Sequence, residues 1–152
     1  EVKSTDRDTH IFLVTKYGMC IRFKETDVRA TGRMTMGVIG MNLDDGDEIV
    51  GMQLDHQGDS LLIVSENGLG KRFSINELPI QKRAGKGLMG YKPNDSTGRI
   101  ACAALLSDDD SVLICGDKTG ICLSATEIPI LGRASAGNQL IKGNKVLSVS
   151  KV

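Results

Sequence analysis

The feature that most constrains the fold of this chain is a unit of about fifty residues that occurs three times within 152 residues. Each unit carries a turn dipeptide ending in glycine, an acidic residue followed by an apolar one, and an Arg-x-x-x-Gly segment. The arginines are Arg33, Arg83 and Arg133; the acidic pairs begin at Asp27, Glu77 and Glu127; the turn glycines are Gly18, Gly68 and Gly120. These markers recur every 50 residues, apart from an interval of 52 before the third turn. Three markers in step indicate a true repeat, with a third unit two residues shorter after its turn.

Within each unit, the residues predict short strands joined by tight turns. Short apolar runs bounded by polar residues are typical of buried strands, and a glycine that accepts positive φ is typical of a hairpin turn. No segment longer than about ten residues shows a sustained helical period. The predicted strands are Ile11–Val14, Leu61–Leu62–Ile63–Val64 and Val112–Cys115; then Cys20–Phe23 and Lys71–Ile75; and finally Ile49–Leu54, Ile100–Leu106 and Val146–Val149.

Four strands per fifty-residue unit is the proportion found in propeller blades. We therefore predict an all-β fold of three four-stranded, propeller-like blades, with repeats at about 8–57, 58–109 and 110–152. Closed propellers usually have four to eight blades, so three blades form either an open arc or part of a larger array.

Composition excludes several classes of function. The formal net charge is zero, so any nucleic-acid binding has to rest on local charge. No apolar run approaches the roughly 20 residues that cross a bilayer, and the polar N-terminus does not resemble a signal peptide. The four cysteines occur singly, which disfavours zinc and favours buried free thiols in a reducing cytoplasm: Cys20, Cys102, Cys115 and Cys122.

The sharpest candidate site is the segment Gln81–Gly87, which holds three cations, two glycines and no acid. Its surroundings from Leu69 to Pro93 contain six cations against one acid, a local charge of +5. Lysine and arginine attract phosphate irrespective of base identity, and glycines let main-chain N–H groups approach phosphate oxygens. The predicted DNA-binding residues here are Gln81, Lys82, Arg83, Gly85, Lys86 and Gly87, with Lys71 and Arg72 nearby. The alternative is a solvated loop whose glycines serve only its turn geometry.

The matching segments of the outer repeats keep the arginine and the last glycine but lose the lysine. If all three segments lie on one rim, Arg33 and Arg133 extend a curved path of backbone contacts along a bent duplex. The alternative for these two arginines is an ion pair with the in-register acids Asp27 and Glu127.

No catalytic constellation is visible. The two histidines are isolated in sequence, and the chain has no G-x-x-x-x-G-K-[ST] phosphate-binding motif. We therefore expect no catalytic residue and no metal site. Apart from a DNA-binding module, the pattern leaves open a protein-interaction scaffold or, less favoured, a propeller hydrolase.

Several of these segments are similar to one known family. Arg22-Phe23-Lys24-Glu25, the hairpin Asn67–Arg72 and Ile130-Leu131-Gly132-Arg133 resemble the C-terminal domain of DNA gyrase A, the β-pinwheel of type IIA topoisomerases. Gln81–Gly87 is similar to that family's Gln-Arg-Arg-Gly-Gly-Lys-Gly box, from which it departs at Lys82 and Ala84. The resemblance covers nearly the whole chain and implies the last three of six blades.

The resemblance implies a module that wraps duplex DNA with positive handedness and so supports negative supercoiling by an ATP-dependent holoenzyme. No cofactor is expected in this chain, since the holoenzyme would use ATP and Mg²⁺ elsewhere. The implied partners are double-stranded DNA, the rest of gyrase A, and gyrase B, in the bacterial cytoplasm at the nucleoid and without a membrane. The corresponding pinwheel domain of topoisomerase IV is the alternative within the family, although it lacks the box.

Overall fold

The computed structural model describes residues 1–152 and contains twelve β-strands and no α-helix. The strands are β1 His10–Thr15, β2 Met19–Lys24, β3 Ile49–Leu54, β4 Ser60–Ser65, β5 Leu69–Ser74, β6 Ile80–Gln81, β7 Leu88–Met89, β8 Ile100–Leu106, β9 Ser111–Gly116, β10 Gly120–Ser124, β11 Asn138–Gln139 and β12 Val146–Lys151. Four single-turn 3-10 helices lie at Glu25–Asp27, Asp55–Gln57, Ile75–Glu77 and Ala125–Glu127. None of these helical turns has the length or apolar character needed to cross a bilayer.

Each repeat builds the same three-stranded antiparallel unit. In the first repeat, β1 lies between β2 and β3; in the second, β4 lies between β5 and β8; in the third, β9 lies between β10 and β12. The middle strand is the most apolar because sheet neighbours flank it on both edges and other repeats cover its faces, and every residue of β4 is buried. The predicted all-β fold of propeller-like blades is confirmed.

In the first two blades, the outer strands come from the following repeat. β6 and β7 of the second repeat pair with β2, in parallel and antiparallel orientation respectively. β11 of the third repeat pairs with β5 in the same way as β7 pairs with β2, and Ile130 forms a parallel bridge with Arg72. The sheets of the first, second and third blades therefore contain five, four and three strands, whereas four were predicted in each. The third sheet is the smallest because β10 receives no such addition. Successive repeats exchange strands.

The third hairpin differs from the sequence-based prediction. Gly18 and Gly68 lie in tight turns with φ of +89° and +85°, as predicted. Gly120, in contrast, is the first residue of β10 and pairs with Cys115, so it does not supply a left-handed turn. The last paired residues before the third hairpin turn, Cys115 and Gly120, are separated by four residues. The equivalent pair in the first repeat, Val14 and Cys20, is separated by five. The deletion therefore lies within the hairpin and is one residue long; from Gly120 to Glu127 the third repeat keeps the 50-residue spacing.

The core lies between successive blades. One cluster joins the first and second repeats and includes Phe12, Leu61 and Phe73; another joins the second and third and includes Leu62 and Ile114. Side chains of this kind stabilise the fold by roughly 1.5–3 kcal/mol each when fully buried. Because both clusters draw on two repeats, one repeat alone leaves apolar side chains of its strands uncovered.

The four cysteines are free thiols. Cys20 is buried on β2 at 1% exposure, and burial raises its pKa to about 12. Cys102 and Cys115 are only partly buried and Cys122 is exposed, so the prediction of buried thiols holds fully for Cys20 and is wrong for Cys122. The reason is that Cys122 lies on β10, the strand that no following repeat covers.

Candidate nucleic-acid interface

The segment Gln81–Gly87, called the basic loop below, connects β6 and β7 and lies against the first repeat. The main-chain N–H of Ala84 donates to Gly40 O at 2.7 Å, and the N–H of Asn42 donates to Gly85 O at 2.9 Å. Together with the strand pairing on either side, these bonds hold both ends and the middle of the loop. The loop is thus a fixed platform at the outer edge of the first blade.

Arg83 faces the protein. Its Nε donates to Asp27 O at 3.0 Å, and its Nη1 donates to Ile39 O at 3.0 Å. Both acceptors belong to the preceding repeat. The guanidinium therefore fastens two repeats together, and only its remaining N–H groups are available to a ligand.

The two lysines of the loop face solvent. Lys82 is exposed and has neither an ion pair nor a side-chain hydrogen bond. Lys86 lies 3.3 Å from Asp44 Oδ1, but both side chains are about two-thirds exposed, and such surface pairs contribute little. The Gln81 side chain also makes no hydrogen bond within the protein. These three side chains are the ones that the loop presents outward.

The backbone of the loop carries strain at Ala84, one of the positions where the sequence departs from the family box. Ala84 has φ of +67°, a conformation that favours glycine. Gly87 has φ of +77°, and a Cβ there would lie 2.3 Å from Cys20 O. Gly87 is therefore required by its packing against β2, which accounts for this glycine without a phosphate. Gly85 has neither constraint, since a Cβ there would make only ordinary contacts.

Lys71 and Arg72 do not lie on the basic surface predicted from the sequence. Their exposures are 1% and 3%. Arg72 donates from Nε to Ile128 O at 2.9 Å and from Nη1 to Asp108 Oδ1 at 2.8 Å. Lys71 donates from Nζ to the main-chain oxygens of Arg133 and Ser135. Because the third repeat covers this part of β5, we omit both residues from the proposed DNA-binding set.

Arg133 and Arg33, equivalent by repeat, have different surroundings. Arg133 donates from Nη1 to Met89 O at 2.7 Å, and its main-chain N–H donates to Glu77 Oε1 at 3.0 Å. Arg33 is exposed and makes no hydrogen bond or ion pair with its side chain. The alternative of an ion pair with an in-register acid is wrong for both. Asp27 accepts from Arg83 through its main-chain oxygen, and Glu127 accepts from the N–H of Ser124.

Sequence reasoning missed a second set of inter-repeat contacts made by Arg22. Its Nη1 donates to Ile75 O at 3.2 Å and to Leu78 O at 3.3 Å, the same part of the next repeat that Arg72 reaches one repeat later. The signal was available, since Arg-Phe recurs at an interval of 50 residues in β2 and β5. The third repeat has Cys122 at this position and lacks the contact.

The arrangement offers electrostatic binding and no evident acid–base chemistry. No group of three His, Cys, Asp or Glu side chains is arranged to hold a metal ion. What the outer edge offers is lysine, glutamine and spare arginine donors on a rigid backbone, a set suited to phosphate oxygens.

Comparisons with known proteins agree with this architecture. The family described as DNA gyrase C-terminal domain, beta-propeller, matches residues 9–54, 59–113 and 120–151. The DNA gyrase A protein of Ureaplasma parvum serovar 3 is 34% identical over 141 residues, which span 92% of this chain and 17% of that relative.

Two solved structures are similar over nearly the whole chain. A DNA gyrase A C-terminal domain superposes with a TM-score of 0.88 at 32% identity, over 97% of this chain and 52% of that one. The C-terminal domain of a DNA topoisomerase IV superposes with a TM-score of 0.92 at 29% identity, over 100% and 49%. The chain thus spans about half the length of these domains.

Proposed function

This chain belongs to the DNA gyrase C-terminal domain family, a β-propeller family, and from that membership we propose that it binds duplex DNA without sequence preference and bends it. The bent DNA follows the outer edges of successive blades. In this proposal the chain is part of a gyrase A protein and forms half of a six-bladed domain.

The observation that carries the proposal is the orientation of the basic loop. Arg83 and the backbone bonds at Ala84 and Gly85 attach the loop to the first repeat, and this attachment leaves Lys82 and Lys86 facing solvent. Phosphate contacts of this kind supply affinity and position but carry no sequence information. Arg33 is a further exposed cation, contributed by the first repeat.

The role in supercoiling follows from the family. A domain that wraps DNA presents a second segment to the cleavage core, and the holoenzyme then introduces negative supercoils with ATP. ATP and Mg²⁺ act on the rest of gyrase A and on gyrase B, in the bacterial nucleoid. The residues of this chain contribute binding and curvature.

A role in topoisomerase IV is the second candidate, and the TM-score of 0.92 to such a domain favours it. The basic loop distinguishes the two roles, because the topoisomerase IV pinwheel lacks a box. If this chain works as a topoisomerase IV domain, neutralising the loop will leave DNA bending unchanged.

A salt titration of duplex binding tests the proposal. We expect log K to fall linearly with log salt, and affinity to drop by orders of magnitude between about 50 and 200 mM if six or more phosphates are contacted. The double variant Lys82→Gln/Lys86→Gln should reduce the slope by about 1.8, the effect of two phosphate contacts. The matched control is Lys118→Gln/Lys142→Gln, which removes two exposed lysines from the third repeat.

Two results would contradict the proposal. One is a salt-independent affinity or no binding at low salt, which favours a protein-interaction scaffold. The other is an equal reduction of the slope of log K against log salt in the loop variant and in the control variant. The lysines of the basic loop would then contribute no more to DNA binding than other exposed lysines. Ring closure of small DNA circles measures bending separately, and we expect the loop variant to lose most of it while circular dichroism shows an intact fold.

A further inference from the structure

A second site of a different kind lies at the junction of the second and third repeats. A cavity of about 680 Å³ opens above β5, between the segment that follows β7 and the loop of Arg133. Its floor holds Leu69 and Lys71, and its walls include Met89, Lys92 and Pro93. This volume lies within the range of about 300–1,000 Å³ that is usual for small-molecule sites.

The equivalent place at the first junction is closed by apolar side chains. Ile21 has the position in β2 that Lys71 has in β5. Each pairs with the fourth residue of the neighbouring strand, Ile21 with Leu13 and Lys71 with Ile63. Ile21 packs there in a cluster with Met41, and the third repeat also has isoleucine at this position, Ile121. The fold therefore does not require a lysine at the floor, and Lys71 places a buried charge where the first and third repeats have an apolar side chain.

The cavity is positively charged and has no acid in its lining. Lys71, Lys92 and Arg133 line it, and none of the three forms an ion pair. The nearest acid, Glu77, accepts a hydrogen bond from the main-chain N–H of Arg133. Removing a cation from water without a counter-ion is energetically unfavourable. Burial therefore lowers the pKa of Lys71.

Donors remain free around the cavity. The Lys71 ammonium is buried: it donates to two main-chain oxygens and lies 5.4 and 5.5 Å from the centroids of the Tyr91 and Phe73 rings, so it contributes its charge more than a free donor. The Arg133 guanidinium uses one N–H on Met89 O, and Lys92 is exposed at the mouth without any partner. A phosphate group accepts several such charge-assisted bonds at once.

We propose that this cavity binds the phosphate group of a small phosphorylated compound through Lys92 and Arg133, with the buried charge of Lys71 beneath them. The site goes beyond the proposed binding of DNA to the basic loop and lies on the next junction along the chain. Its volume accommodates a small compound, whereas the burial of Lys71 keeps the phosphates of a duplex away from this side chain.

Calorimetry with sodium pyrophosphate, and separately with a short duplex, tests the site. Lys71→Ile introduces the residue that the other two repeats have at this position, and Lys92→Glu reverses the charge at the exposed mouth. Each should weaken phosphate binding by about tenfold or more, the loss expected for a charge-assisted hydrogen bond. Lys118→Glu, an exposed lysine away from the cavity, is the matched control and should leave binding unchanged.

The outcomes separate a small ligand from DNA. Pyrophosphate binding that both cavity variants weaken supports the site. No pyrophosphate binding, or duplex binding alone that both variants weaken, would overturn it, because the ligand would then be DNA. Equal effects in the control, or loss in Lys92→Glu alone, would overturn the site.

Amide chemical shifts of the unmodified protein give a second measurement should Lys71→Ile fail to fold. Ligand-induced shifts should be concentrated in residues 89–93 and 133–137; shifts spread over the basic loop instead would also overturn the site. The basic-loop proposal stands or fails separately on the Lys82→Gln/Lys86→Gln titration.

Discussion

Arg83 Nη1 donates to the main-chain oxygen of Ile39 at 3.0 Å, across 44 residues of sequence. One repeat later Arg133 makes the equivalent bond to Met89 at 2.7 Å, across the same interval. In the second and third repeats, the arginine that marks the repeat in the sequence therefore joins its unit to the one before it.

Replacement of Arg83 by glutamine should lower the free energy of unfolding by about 1 kcal/mol, because two main-chain oxygens lose a charged donor. Urea denaturation monitored by circular dichroism measures the change. Arg33→Gln is the control: this side chain is exposed and makes no hydrogen bond, so its effect should stay within about 0.5 kcal/mol. Equal midpoints for the two variants would show that the contacts of Arg83 contribute nothing.

Ala84→Gly should stabilise the protein by about 0.5–1 kcal/mol, because Ala84 has φ of +67° and glycine adopts this conformation without a steric penalty. Thermal unfolding measures the gain. The same substitution at Ala134, which has no positive φ, should be neutral or destabilising because glycine adds entropy to the unfolded chain. A gain at both positions, or at neither, would contradict the assignment of strain to Ala84.

Gly137→Ala should destabilise the fold by about 1–3 kcal/mol, the usual effect of overpacking. The added Cβ would lie 2.5 Å from Tyr91 Oη and 2.6 Å from Gly70 O, and the main-chain oxygen cannot move aside easily. At the equivalent Gly37 a Cβ would meet open space, so Gly37→Ala provides the comparison. Guanidinium denaturation of both variants should therefore separate them clearly, and superimposable curves would refute the close approach.

Alkaline pH should destabilise the protein through Cys20. Burial raises the pKa of this thiol to about 12 in the folded state, against 9.0 for an ordinary thiol, so only the unfolded state ionises between these values. The contribution of the neutral thiol is complete below pH 9 and is lost above it, by about 1 kcal/mol per pH unit.

Urea denaturation at pH 8 and at pH 10 measures this loss. Cys20→Ala should lose less stability between the two pH values than the unmodified chain. Cys122→Ala should behave as the unmodified chain does, since Cys122 is exposed. An identical loss in the Cys20 variant would assign the pH dependence to other groups.

The strands could be predicted from the sequence because their signals are local. The apolar run of β4 is bounded by polar residues, and the hairpin glycines Gly18 and Gly68 have the positive φ that their turns require. Gly120 shows the limit of this reasoning. Its Thr-Gly dipeptide resembles the other turns, but strand pairing with Cys115, which no dipeptide encodes, places it in β10.

The candidate site was predicted only in part, because the deciding contacts join distant repeats. Lys71 and Arg72 begin a run of polar and apolar residues that is typical of a half-exposed strand, yet three of their acceptors lie 56 or more residues away on the third repeat. Main-chain oxygens accept most of these bonds, and residue type gives no indication of where a main-chain oxygen lies. Lys82 has no such acceptor and is exposed, and its part in DNA binding stays a prediction.

The exchange of outer strands affects how the chain unfolds. The blades are offset from the sequence repeats, because β6 and β7 belong to the second repeat but form their strand hydrogen bonds with the first blade. In the nearest-neighbour description of repeat proteins, the total stability is the sum of a free energy for each unit and a free energy for each interface between neighbouring units. The exchange of strands increases the interface contribution at the expense of the contribution of the single units. Strong coupling penalises every boundary between folded and unfolded units. Partly unfolded forms with one blade open are thus depleted, and the array melts as a single cooperative block.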